Sequence, residues 1–194
     1  MPKKLDRARG QILEAAAQLF LELGYDQVDM RTIASRANTA VGTVYNYFPN
    51  KEELFARVFE SSWQEVFQTL ATALDSAEDC EAQLLQSMVI TERAFIARRQ
   101  LACEMLKRGL HEKEQQQRLQ RVGDKLYCHF TSLLARSHVP ERFQHSLAAS
   151  LVHAVWAQAK EHTQPEDIDT EFYAWLVSRI LVQKGEAEIG AARS

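Results

Sequence analysis

Apolar residues recur three and four positions apart along most of the chain, and no run alternates apolar with polar over the length of a strand. The pattern predicts an all-α protein of about nine helices. Two of these are short. Asp29 is placed to cap a helix starting at Met30, in which Ile33, Ala34 and Ala37 share one face. Asn38 stands where that helix must end, and asparagine is among the few residues that tolerate a left-handed backbone. The next helix turns Val44 and Phe48 inward, and Pro49 stops it because proline cannot continue the hydrogen-bond ladder. Asn50 then caps a long helix to about Ala73, with Glu52 and Glu53 near its positive end and a stripe that includes Leu54, Phe59, Trp63 and Phe67.

Beyond a polar break at Asp75 to Asp79, Leu84, Met88, Phe95 and Ile96 mark a fifth helix, and Leu101 to Leu110 a short sixth. A seventh runs to about Arg136 and an eighth from Glu141 to His162. A turn at Gln164 to Asp167 leads to a ninth over 169–183, before a frayed tail at 186–194. The eighth and ninth are apolar on more than one face. Such helices must bury two faces; one can meet their own core and the other a twofold-related copy, the alternative being deeper burial within a monomer.

Composition changes this picture little. At 46% hydrophobic and 25% charged the chain is ordinary for a globular protein, and no apolar run approaches the ~20 residues of a membrane span. The N-terminus has no apolar signal core, so a cytoplasmic protein is expected. Charge is unevenly placed: residues 1–51 hold seven Lys/Arg against five Asp/Glu, whereas 52–194 hold sixteen against twenty-one. Lys3, Lys4, Arg7 and Arg9 are positioned to meet phosphates. Cys80, Cys103 and Cys128 are odd in number and far apart, and are expected to behave as small apolar residues.

The short helix after Asn38 carries the distinctive chemistry. Thr43, Tyr45, Asn46 and Tyr47 stand where a packed helix would carry apolar or fully charged residues. A helix-turn-helix presents its recognition helix to the DNA major groove in this way, so the chain reads as a DNA-binding protein.

The same stretch resembles the TetR family of bacterial transcription regulators. Gly42, Thr43, Val44, Tyr45, Tyr47, Phe48, Asn50, Lys51, Glu53 and Leu54 match the family's signature, and Ile12, Ala15, Ala16, Leu19, Phe20, Gly24 and Tyr25 resemble its first helix and exit. The resemblance covers about the first 60 residues. Three positions depart from it: Asn38 replaces the usual turn glycine, Thr39 the usual valine and Ala40 the usual capping serine. The resemblance implies a three-helix DNA-binding head over 6–66, with the helix-turn-helix at 29–48, and a ligand-binding and dimerisation body over 67–185. It implies a homodimer joined through 141–162 and 169–183, a palindromic double-stranded operator, repression, and release by a small apolar or cationic effector. From side-chain chemistry and position in the motif, Arg31 and Tyr45 should lie nearest base edges, with Val41 able to touch a thymine methyl. Thr43, Tyr47 and Lys51 should hold phosphates, and Asn46 is able to serve either role.

In the body, Trp63, Phe67, Met88, Phe95, Tyr127, Phe130 and Trp156 are candidate ligand-lining residues, against the plainer reading that they are core. Glu92 falls on the apolar stripe of the fifth helix. It is placed either to meet a cationic or hydrogen-bond-donating ligand or, after a small rotation, to pair at the surface with Arg93 or Arg136. No enzyme, cofactor or metal site is expected. The chain lacks a His-x-x-x-His pair, a glycine-rich phosphate loop and Gly-x-Ser-x-Gly, and no histidine follows a glutamate by three residues. The alternative is a ligand-independent regulator of the same fold, structural or controlled by a protein partner.

Overall fold

The computed structural model describes residues 2–76, 79–109 and 113–181. Every regular element among them is helical: α1 Pro2–Leu23, α2 Met30–Arg36, α3 Val41–Tyr47, α4 Lys51–Ser76, α5 Cys80–Gly109, α6 Lys113–Ala135, α7 Glu141–Glu161, a 3-10 turn Pro165–Asp167 and α8 Thr170–Leu181. Eight α-helices replace the nine expected, because 101–109 is the end of α5 rather than a helix of its own. Neither proline nor glycine interrupts 97–107, so the ladder runs on for 30 residues. The tail at 186–194 and the end of the last helix at Gln183 lie outside the described residues. No described helix is long and apolar enough to cross a membrane.

The chain divides into two compact units, one of residues up to Gln64 with Arg98–Gln120, the other of Glu65–Ala97 with the described residues from Arg121 onward. Residues 98–120, placed by sequence in the body, therefore group with the head.

In the first unit, Ile12, Leu19, Phe20, Ile33, Val44, Phe48 and Leu54 are at most 1% exposed and form the interior. The rings of Phe20 and Tyr25 stack at 5.6 Å, and each meets Phe55 edge-on at 5.0 Å. Such pairs contribute about 0.5–1.5 kcal/mol each beyond their buried area.

The second unit has an apolar interior of Leu84, Met88, Leu126, Phe130, Val155 and Val177, into which α5 also turns Gln83, Ser87, Thr91 and Glu92. Gln83, Ser87 and Thr91 are four apart and so share one side of the helix. Each of the three takes part in at least one hydrogen bond. Gln83 donates to the Leu74 carbonyl at 2.6 Å, Thr91 donates to the Ser87 carbonyl at 2.7 Å, and Ser87 Oγ lies 2.9 Å from His129 Nε2. Burial pushes the His129 imidazole down to about 4, so it is neutral at pH 7.

The cysteines do not behave uniformly as small apolar residues. Cys103 and Cys128 are exposed and only Cys80 is partly covered, since each of the first two falls on the outer side of its helix.

Candidate DNA-binding interface

The head is assembled from local instructions. Asp29 accepts from the Thr32 backbone N–H at 2.7 Å and from its hydroxyl at 2.9 Å, capping α2 as expected. Both bonds hold its carboxyl below the usual aspartate range. Asn38 adopts the left-handed conformation, φ +50°, that the turn into α3 needs. Val44 and Phe48 are 0% and 1% exposed, while Gly42, Tyr45 and Asn46 face outward, Tyr45 at 51%. Asn50 Oδ1 accepts from the Glu53 N–H at 2.7 Å and caps α4.

Ala40 precedes α3 without a side-chain cap, leaving the first-turn donors to solvent or to a partner. Ala40→Ser is accordingly expected to stabilise the protein by about 1 kcal/mol. A thermal melt checks this, with an expected rise of about 2–4 °C.

All seven residues expected to contact DNA keep outward or partly open positions. Arg31, Tyr45 and Asn46 are exposed, and Val41, Thr43 and Tyr47 are half-buried at the edges of α3. A β-carbon at Gly42 would meet nothing within 4 Å, so the first turn of α3 is open to close approach. Arg9, Tyr47, Asn50 and Arg57 line a hollow of about 560 Å³ beside the end of α3. Arg9 is exposed, and its guanidinium stands 5.7 Å from the Phe48 ring. The side chains of Lys3 and Lys4 lie outside the described ones.

Lys51 departs from its expected role. Its ammonium donates to the Tyr25 carbonyl at 2.9 Å and the Val28 carbonyl at 2.8 Å, and lies 4.1 Å from the Tyr25 ring centre. Two of its three protons are thus committed inside the head. Next to it, the Tyr25 hydroxyl donates to Glu52 Oε1 at 2.8 Å. Together these contacts buckle the turn between α1 and α2 to the first turn of α4. Sequence reasoning also missed a second tie. Arg118, with a side chain 3% exposed, donates to Glu53 at 2.7 Å and lies 3.4 Å from Glu60, while Arg57 contacts the same two carboxylates at 2.8 and 3.1 Å.

Of the residues suggested for a ligand site, Met88 and Phe130 are fully buried, and Phe67, Phe95 and Tyr127 are partly buried. Trp63 is buried but belongs to the first unit, where it meets Phe59 edge-on at 6.4 Å. Trp156 does not join an interior. It is 41% exposed, with Lys160 Nζ 3.4 Å from its ring centre. Glu92 is 0% exposed, so pairing at the surface with Arg93 or Arg136 is ruled out; its partner is His162, at 2.6 Å.

Residues 12–58 match the family of bacterial regulatory proteins, tetR family. The chain is 41% identical over 64 residues to the uncharacterized HTH-type transcriptional regulator YhgD of Bacillus subtilis (strain 168), covering 33% of this chain and 34% of that protein. It is 48% identical over 56 residues to the HTH-type transcriptional repressor KstR of Rhodococcus jostii (strain RHA1), covering 27% and 26%. The chain thus spans about a third or less of the length of these curated relatives. A TetR-family regulator structure from Mesorhizobium loti superimposes with a TM-score of 0.72 at 17% identity, covering 91% of this chain and 94% of that one. FadR of Bacillus subtilis, solved in complex with stearoyl-CoA, does so with a TM-score of 0.61 at 18% identity, covering 89% and 97%. These two likenesses establish the fold. The chain thus carries a match to the tetR family over residues 12–58 and has a TetR-like all-helical fold.

Proposed function

We propose that this TetR-family chain is a DNA-binding transcriptional repressor, not an enzyme, which grips a palindromic duplex as a homodimer and releases it when a small molecule enters its helical body. One observation carries the DNA-binding half: α3 buries Val44 and Phe48 completely while Gly42, Tyr45 and Asn46 stand open on its other side. A surface helix whose outer face carries hydrogen-bonding and aromatic groups is suited to the major groove. Exposed aromatics on α7 and α8, Phe143, Trp156 and Trp175, support the dimer. Repression follows the role of KstR, a transcriptional repressor. For the effector, the FadR–stearoyl-CoA complex makes a long-chain acyl-CoA the first molecule to test. The apolar interior of the second unit suits such a chain.

The test begins with selection from randomised duplexes, followed by anisotropy titrations of the selected site at several salt concentrations. A palindrome with half-sites about one turn, ~34 Å, apart or at a multiple is expected, with affinity falling steeply as salt rises. Arg31→Ala should relax the selected sequence by about 1–3 kcal/mol at the base pair it reads. A selection identical to the wild type would remove Arg31 from the base-reading set, and recovery of no site at all would sink the DNA-binding reading.

A further inference from the structure

Between Arg36 and Arg57 the sequence holds one cation, Lys51, and its ammonium is bound to the Tyr25 and Val28 carbonyls. The helix α3 itself carries no positive charge, whereas a duplex carries one negative charge per ~1.7 Å of axis. Two other helices bring guanidinium groups to the place where α3 ends. The hollow of about 560 Å³ beside Tyr47 and Phe48 is lined by Arg9 from α1 and Arg57 from α4. Arg9 lies with its guanidinium 5.7 Å from the Phe48 ring and has no carboxylate partner among the described residues. Arg57, 43% exposed, gives Nε to Glu53 at 2.8 Å and Nη1 to Glu60 at 3.1 Å; Nη2 has no partner among the described residues. Asn50 lines the same hollow and uses its Oδ1 to cap α4, which leaves its amide N–H donors for another acceptor.

The acids around the hollow are already engaged. Arg57 and the buried Arg118 together balance Glu53 and Glu60, and Lys51 balances Glu52 where both meet Tyr25. Arg9 is the surplus charge. We infer that the hollow is a backbone-phosphate site, in which Arg9, Arg57 and Asn50 hold one phosphate of the strand passing the end of α3, in the role that Lys51 does not fill. The inference rests on the DNA-binding reading above and names the groups that grip the duplex outside the recognition helix. A guanidinium offers paired N–H donors that match two phosphate oxygens, whereas an ammonium is a point charge. Phosphate contacts fix a protein's register on its duplex without reading sequence. The two arginines therefore set affinity, and base choice stays with α2 and α3.

The experiment titrates the full chain by anisotropy against its selected duplex, with each half-site phosphate replaced in turn by an uncharged methylphosphonate. Arg9→Gln and Arg57→Gln are each expected to lower the salt slope by about one unit and the affinity about fivefold near physiological salt, with the selected sequence unchanged. At one phosphate the methylphosphonate should weaken the wild type yet weaken neither variant further. An arginine that only supports the fold would show no such pairing with a single phosphate. Thermal melts report folding; should Arg57→Gln not fold, Arg9→Gln and the methylphosphonate series decide. A wild-type slope in either folded variant, or a loss coupled to no single phosphate, overturns the phosphate site while DNA binding stands. If the wild type binds no duplex, the DNA-binding reading fails and takes the phosphate site with it.

Discussion

Replacing Trp156 and Trp175 together by arginine is expected to leave a folded monomer and to lower operator affinity by about 10²–10⁴-fold. Both rings lie on the outside of the second unit, 41% and 56% exposed, so their loss removes little from the interior. Each already has a cation near its face, Lys160 at 3.4 Å and Arg179 at 6.0 Å. Added arginines therefore bring like charge onto the patch as well as removing apolar area. Tryptophans at the centre of an interface commonly cost about 2 kcal/mol or more each when removed, and a twofold dimer loses four. A monomer grips one half-site, so the advantage of tethering the second head disappears. Light scattering at micromolar concentration reads the mass, and anisotropy on the selected duplex reads the affinity. A dimer that survives both substitutions would show that α7 and α8 do not form the interface.

Lys51→Met should destabilise the protein by about 2–4 kcal/mol while leaving the salt dependence of DNA binding unchanged. A hydrogen bond from a charged donor is worth about 1.5–3 kcal/mol, and Lys51 makes two, to Tyr25 and Val28, in a partly buried setting. The cation–π contact with Tyr25 adds about 0.5–1 kcal/mol. Against a total stability of roughly 5–15 kcal/mol the loss is large. A lysine holding phosphate would behave differently: its removal would cost little stability and lower the salt slope by about one unit. Urea melts and salt titrations of the folded variant separate the two. A full-strength melt with a reduced slope would return Lys51 to the phosphate-binding set.

What the sequence made legible is what local chemistry determines. The Asp29 cap, the left-handed Asn38, the inward pair Val44 and Phe48, and the stop at Pro49 each depend on residues within about one helical turn. The internal role of Lys51 was not legible because its partners are the carbonyls of Tyr25 and Val28, and a backbone oxygen leaves no mark in the residue code. The division of 80–109 into two helices failed because nothing between Ile96 and Leu101 stops the ladder. Glu92 was correctly singled out as anomalous, yet its partner lies 70 residues away at the C-terminal end of α7. Trp156 shows the remaining limit. In a helix apolar on two sides, periodicity does not say which side meets its own core, and the structure turns this ring outward.

The buckle at Lys51 and the Arg118 cluster also differ in when they can form. Lys51 meets carbonyls 26 and 23 residues earlier in the chain, whereas Glu53 waits for an arginine 65 residues later. At a synthesis rate of about 5–20 residues per second, Arg118 follows Glu53 by roughly 3–13 s. Local helical contacts close far faster than that. On the ribosome, the turn between α1 and α2 can therefore be stapled to α4 while Glu53 and Glu60 still share only Arg57. Arg118, with the rest of residues 98–120, joins that unit only afterwards.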